Sequence, residues 1–173
     1  MDLQVGDLAP NFYLPSVQGD NFLFENQLEK YKGSWHLIVF FRGSWSASCI
    51  EQLTAYEQVK EQWAKENLRI IAISSDNLDD LKRMAHEEPF TFPILSDEFF
   101  SVIDAFGVYK QTRTVKEELS VPHNEPAHYL INEEGKIVYI QKQSAPFGRP
   151  LPRDLRRTVG YLKKAKTNST SQN

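Results

Sequence analysis

Two short runs, WHLIVFF at 35–41 and LRIIAIS at 68–74, are apolar at nearly every position and rich in β-branched and aromatic residues. Runs of this length and composition read as buried strands, which need cover on both sides. Between them Ile50, Leu53, Tyr56, Val59 and Trp63 recur three to four residues apart among Glu, Gln and Lys. That spacing predicts an amphipathic helix. LDDLKRMAHEE reads as a second helix, FPIL as a short strand, and FFSVIDAFG as a short helix closed by Gly107. AHYLIN and KIVYIQK flank Asn132-Glu133-Glu134-Gly135 and predict an antiparallel hairpin. RDLRRTVGYLKK closes the chain as a helix. This order predicts an α/β fold with a central mixed β-sheet and helices on both faces. Residues 107–126, which include Pro122 and Pro126, show no clear element, and loops that long usually carry function.

The 173 residues suit one domain, expected over 1–164, with the polar remainder 165–173 expected to be a disordered tail. A net charge of −3 gives no electrostatic case for nucleic acid or an anionic membrane as partner. No apolar run approaches the roughly 20 residues that span a bilayer. The opening MDLQVGDLAPNF lacks the basic-then-apolar pattern of an export signal. The single cysteine, Cys49, excludes an internal disulfide framework. A reducing, cytoplasmic setting is the simplest expectation.

Cys49 falls just past the first buried strand, at the start of the helix. Ser48 with Glu51 fits a capping box, and Ser46 is an alternative cap three residues before the cysteine. Either start places free backbone N–H groups and the positive helix end near the sulfur, which favours a thiolate. Ser46 can donate its hydroxyl proton to that thiolate or to an oxygen it attacks, and Arg42 can add positive charge. The opposing reading is that free cysteines are commonly buried and inert. His36, His86, His123 and His128 have no zinc-ligand spacing, and only His128, after Pro126, falls on a strand expected beside the site. No dinucleotide or phosphate-loop pattern occurs. No metal, flavin or other cofactor is expected.

VGDLAPNFYLPSVQGDNFLFEN followed by LIVFFRGSWSASCIEQL, with EPAHYLINEEGKIVYIQKQ and FGRP later, resembles the peroxiredoxin and thiol-specific antioxidant (AhpC/TSA) family over residues 5 to about 162. The likeness is greatest to the peroxiredoxin-like group with an F-Y-R-G-x-W-C-P-Y-C motif. It implies a thioredoxin-like fold and a thiol-dependent antioxidant peroxidase. In the family pattern P-x-x-x-[TS]-x-x-C, Cys49 falls on the peroxidatic cysteine, Ser46 on the hydroxyl position and Arg42 on the proline. In the C-x-x-C branch Ser46 replaces the first cysteine, so disulfide cycling across that motif is impossible. The family's strand arginine falls on Pro126, which instead resembles the cis-proline of thioredoxins, so a cis Glu125–Pro126 bond is expected. Arg149 in FGRP matches a second family arginine, and Trp45 is a candidate wall of the thiol pocket.

The implied activity is that of a one-cysteine enzyme reducing hydroperoxides through a Cys49 sulfenic acid resolved by an external thiol, a small thiol or a thioredoxin-like protein. Two alternatives stay open. One is a thioredoxin-fold pseudo-enzyme with little turnover, the other a redox-sensing binding module. Related folds often form homodimers, although nothing in this chain forces one.

Overall fold

The structure, a computed structural model, describes residues 2–112 and 122–170. The first buried run forms β3 (Trp35–Phe40), reached after a small hairpin of β1 (Tyr13–Leu14) and β2 (Phe22–Leu23) and a short helix α1 (Phe24–Lys30). Then follow α2 (Ala47–Lys65), β4 (Leu68–Ser74), α3 (Leu78–Glu87), β5 (Ile94–Ser96) and α4 (Ser101–Phe106). A two-residue pair, β6 (Lys110–Gln111) and β7 (His123–Asn124), precedes the hairpin β8 (Ala127–Ile131) and β9 (Ile137–Lys142) and the closing helix α5 (Pro152–Thr170).

The central sheet has the order β5-β4-β3-β8-β9. β3, β4 and β5 run parallel, while β8 and β9 run antiparallel to their neighbours, so the sheet is mixed. Alternation along β3 sorts its side chains between two cores. Leu37, Val39 and the following Phe41 pack with Leu53 and Tyr56 of α2, Leu81 and Met84 of α3, and Leu155 of α5. Ile38 and Phe40 pack with Phe24 of α1 and with Val102, Ile103 and Phe106 of α4. Helices thus cover both faces, as the doubly apolar runs require.

Local chemistry sets the element ends. Ser46 caps α2, its Oγ accepting the Cys49 N–H at 3.3 Å, so the later capping box is not used. Gly107 ends α4 in the left-handed region at φ +70, a conformation that favours glycine. In the turn of the β8–β9 hairpin, Asn132 Oδ1 accepts the N–H groups of Glu134 and Lys136.

Three sequence expectations are corrected. The segment 107–126 carries the β6–β7 pair, although its residues 113–121 lie outside those described. Helix α5 continues to Thr170, so residues 165–170 extend the closing helix rather than starting a tail. The Glu125–Pro126 bond is trans, with no cis peptide among the described residues. There the Glu125 N–H donates to Tyr109 O and the Gln143 N–H to Pro126 O, which holds the chain extended from β7 into β8. No helix among the described residues is long and apolar enough to cross a membrane.

Candidate active site

Helix α2 begins shortly after β3 ends, at the carboxyl edge of the sheet. That edge is where parallel strands of α/β sheets commonly place their ligands. Cys49 is the third residue of α2 and is fully buried. Two N–H donors meet its sulfur. The Arg42 backbone N–H lies 3.4 Å from Sγ, and Arg149 Nη2 lies 3.3 Å from it. Together they form a positive cradle for an anionic sulfur. Ser46 is buried beside it.

Arg149 comes from the loop between β9 and α5. Its Nη1 donates to Pro146 O at 2.9 Å, which fixes the fork while Nη2 faces the thiol. Gly148 precedes it at φ +77, a backbone conformation that strains residues with a Cβ.

Arg42 departs from expectation. Its backbone, not its side chain, reaches the sulfur. The guanidinium turns instead to Glu125, with Nε 3.2 Å from Oε2, and to His123, with Nη2 3.2 Å from Nε2. His123 Nε2 also lies 3.3 Å from Glu125 Oε1. Glu125 is only 1% exposed and Arg42 11%, so the carboxylate compensates a cation largely removed from water. Trp45 closes this cluster, 4.7 Å from the Arg42 guanidinium and edge-on to His123 at 5.0 Å, and remains 39% exposed. It is therefore a surface wall of the Arg42 cluster.

The loop carrying these groups is pinned by residues that motif reasoning missed. Asp76, just past β4, accepts both the N–H and the Oγ–H of Ser44, at 2.7 and 2.6 Å. Asn124 Nδ2 donates to Phe41 O at 3.0 Å, and its Oδ1 accepts the Ser75 N–H at 3.2 Å, tying the ends of β3 and β4 together. Gly43 is required for space. A Cβ there would collide with the Trp45 indole and stand 3.0 Å from Asp76 Oδ1. The sequence offered one signal for Asp76 and Asn124: polar residues that border strands ending beside the cysteine.

His128 lies under α2. Gln52 Nε2 is 3.0 Å from His128 Nε2 and 3.2 Å from the Tyr56 hydroxyl. Burial first, and then the Arg149 charge, push His128 down to about 3, so it is neutral at physiological pH. Burial likewise raises Tyr56 above its ordinary range, so its phenol stays protonated. The pair supports α2 without supplying charge. Pro126 is buried at the start of β8, where its carbonyl accepts the Gln143 N–H. Among the described residues, no cluster of three or more His, Cys, Asp or Glu is arranged to hold a metal ion.

The AhpC/TSA family model matches residues 5–140. The chain is 28% identical to peroxiredoxin Bcp of Escherichia coli (strain K12) over 138 residues, covering 80% of this chain and 85% of that one. Its fold matches a cysteine-to-serine mutant of the peroxiredoxin 6 of Arenicola marina with a TM-score of 0.79 at 20% identity, covering 94% of this chain and 75% of the other. It also matches a yeast mitochondrial 1-Cys peroxiredoxin, with a TM-score of 0.78 at 18% identity, covering 95% and 78%. The sheet order, the cysteine at the head of α2 and a family match over most of its length agree: this chain, with its thioredoxin-like fold, belongs to the AhpC/TSA family.

Proposed function

We propose that this oxidoreductase is a thiol peroxidase working with one cysteine. The observation that carries the reading is the convergence of the Arg42 N–H and the Arg149 guanidinium on the Cys49 sulfur. A thiol buried only for packing needs neither donor, whereas a thiolate is stabilised by both.

The thiolate attacks one oxygen of a hydroperoxide. An S–O bond forms as the O–O bond breaks, and two electrons pass from sulfur to the peroxide. The departing oxygen takes up a proton and leaves as alcohol or water, and Cys49 becomes a sulfenic acid. The Ser46 hydroxyl, which accepts the Cys49 N–H, keeps its own proton to orient the reacting oxygen. With one cysteine in the chain, the second half-reaction falls to an external thiol, small or carried by a thioredoxin-like protein. Its sulfur displaces the sulfenic oxygen as water to give a mixed disulfide, and a second thiol frees Cys49. The yeast 1-Cys neighbour, resolved via glutathione/thioredoxin systems, is a precedent on the same fold. The cytoplasm, rich in reducing thiols, suits this cycle.

One observation favours a second reading. Cys49 is 0% exposed, so peroxide reaches it only when groups covering the sulfur, Arg149 among them, move aside. A thiol oxidised once and slowly is a redox sensor or the remnant of an enzyme.

Peroxide treatment followed by dimedone and intact-mass analysis tests the proposal. A single adduct on Cys49, lost when a thiol is added first, together with sustained thiol-dependent peroxide consumption, supports the peroxidase. Adduct without turnover supports the sensor, and no adduct leaves an inactive scaffold.

A further inference from the structure

At the opposite end of β4 from the cysteine, the fold forms an open cleft that the peroxidase reading does not use. Leu68, Arg69 and Ile70 open β4 and form part of its floor, while Cys49 sits at the carboxyl edge of the sheet, about a strand's length away. The cleft holds about 390 Å³, within the size range of small-molecule sites, roughly 300–1,000 Å³.

Its chemistry is cationic and aromatic. Arg69 lies over the Tyr31 ring at 3.7 Å, and Lys30 Nζ stands 5.2 Å from the same ring. Lys60 reaches in from α2, with Nζ 2.5 Å from Thr91 Oγ1. Half-buried Phe22 supplies apolar wall, and Phe92, 1% exposed, is part of the core behind it. No carboxylate among the described residues forms an ion pair with Arg69, Lys30 or Lys60, and the Arg69 guanidinium makes no hydrogen bond to any of them, its buried Nε included. Asp20, which is exposed, is the one carboxylate in the lining. Glu57 accepts from the same Thr91 hydroxyl that Lys60 donates to, so it stands beside that ammonium without pairing with it directly. Stacking on Tyr31 pre-orients the Arg69 fork, so its N–H edges can grip a planar carboxylate or a phosphate at little entropic cost.

We propose that this cleft binds a small organic anion, a carboxylate or phosphate carried on an aromatic ring. The anionic group sits on Arg69 and Lys60, and the ring lies against the half-buried Phe22. The site is independent of Cys49 chemistry.

Phenyl phosphate, benzoate and inorganic phosphate are titrated separately into the ¹⁵N-labelled full chain and followed by NMR. The expected result is saturable shifts of the Arg69 Nε–H and of the Tyr31, Ile70 and Thr91 amides, with Kd near or below about 1 mM for an aromatic anion. Inorganic phosphate should bind roughly 10-fold more weakly, because it lacks the ring. The ranking of phenyl phosphate against benzoate identifies the anionic group. Arg69→Met should weaken binding by about 10-fold or more while the peroxide reaction of Cys49 is retained. Lys60→Met gives the same readout if the first variant misfolds. Three results would overturn the proposal: no saturable shift at about 10 mM probe, equal binding by folded variants, or shifts confined to the Cys49–Arg149 region.

Discussion

Arg149 Nη2 lies 3.3 Å from Cys49 Sγ, although one hundred residues separate them in the chain. The contact joins the loop before α5 to the head of α2, and among the described residues it brings a full positive charge onto the sulfur. Replacing Arg149 by Met should lower the second-order rate with hydroperoxide by about 100-fold, the scale of losing one charge-stabilising donor. Arg149→Lys should recover only part, since an ammonium lacks the fork that bonds Pro146 O and Sγ together. A Met variant within about twofold of wild type would remove Arg149 from the mechanism.

Glu125 is expected to act through stability. It is the buried counter-charge of Arg42, and Glu125→Gln leaves the guanidinium without a carboxylate. Breaking such a pair from one side costs about 3–5 kcal/mol. The double variant Arg42→Met, Glu125→Gln should recover much of that loss in a denaturant titration. Equal stability of wild type and Glu125→Gln would show that the pair is not a buried ion pair in solution.

Two buried histidines predict acid lability. Burial, and then the Arg69 charge, lower His36 from 6.5 to about 4, and burial holds His128 near 3. Below 6.5 the unfolded chain gains a proton at each histidine that the folded chain refuses. The unfolded state then binds more protons, so stability falls as pH drops from 6.5 toward those values and levels off above 6.5. Each histidine adds a slope of up to about 1.4 kcal/mol per pH unit. His36→Leu should flatten the curve between about pH 5 and 6.5, whatever it does to absolute stability. An unchanged slope would show that His36 is protonated in the folded protein.

Much of the fold was legible because its central strands are apolar on both faces. WHLIVFF and LRIIAIS admit few other structures, and Ser46, Gly107 and Gly135 mark element ends by local chemistry. The two-residue strands β1, β2, β6 and β7 were not legible, because such short pairs carry no periodicity and exist through tertiary contacts. At the site, Cys49, Ser46 and Arg149 follow from position and motif. The turning of Arg42 toward Glu125 does not, because a buried acidic residue before a proline looks like any loop carboxylate until its burial is known. His128 reads as a candidate site group in sequence, whereas its enclosure beneath α2 makes it a neutral hydrogen-bonding group.

The most direct measurement is stopped-flow decay of hydrogen peroxide or an alkyl hydroperoxide with wild type, Cys49→Ser and Ser46→Ala. Wild type should react much faster than free cysteine, and Cys49→Ser should not react. Ser46→Ala should be slower by about 10- to 1,000-fold, because its hydroxyl orients the reacting oxygen. A wild-type rate no faster than free cysteine, together with no effect of Ser46→Ala, would contradict the peroxidase account and leave an AhpC/TSA scaffold without its chemistry.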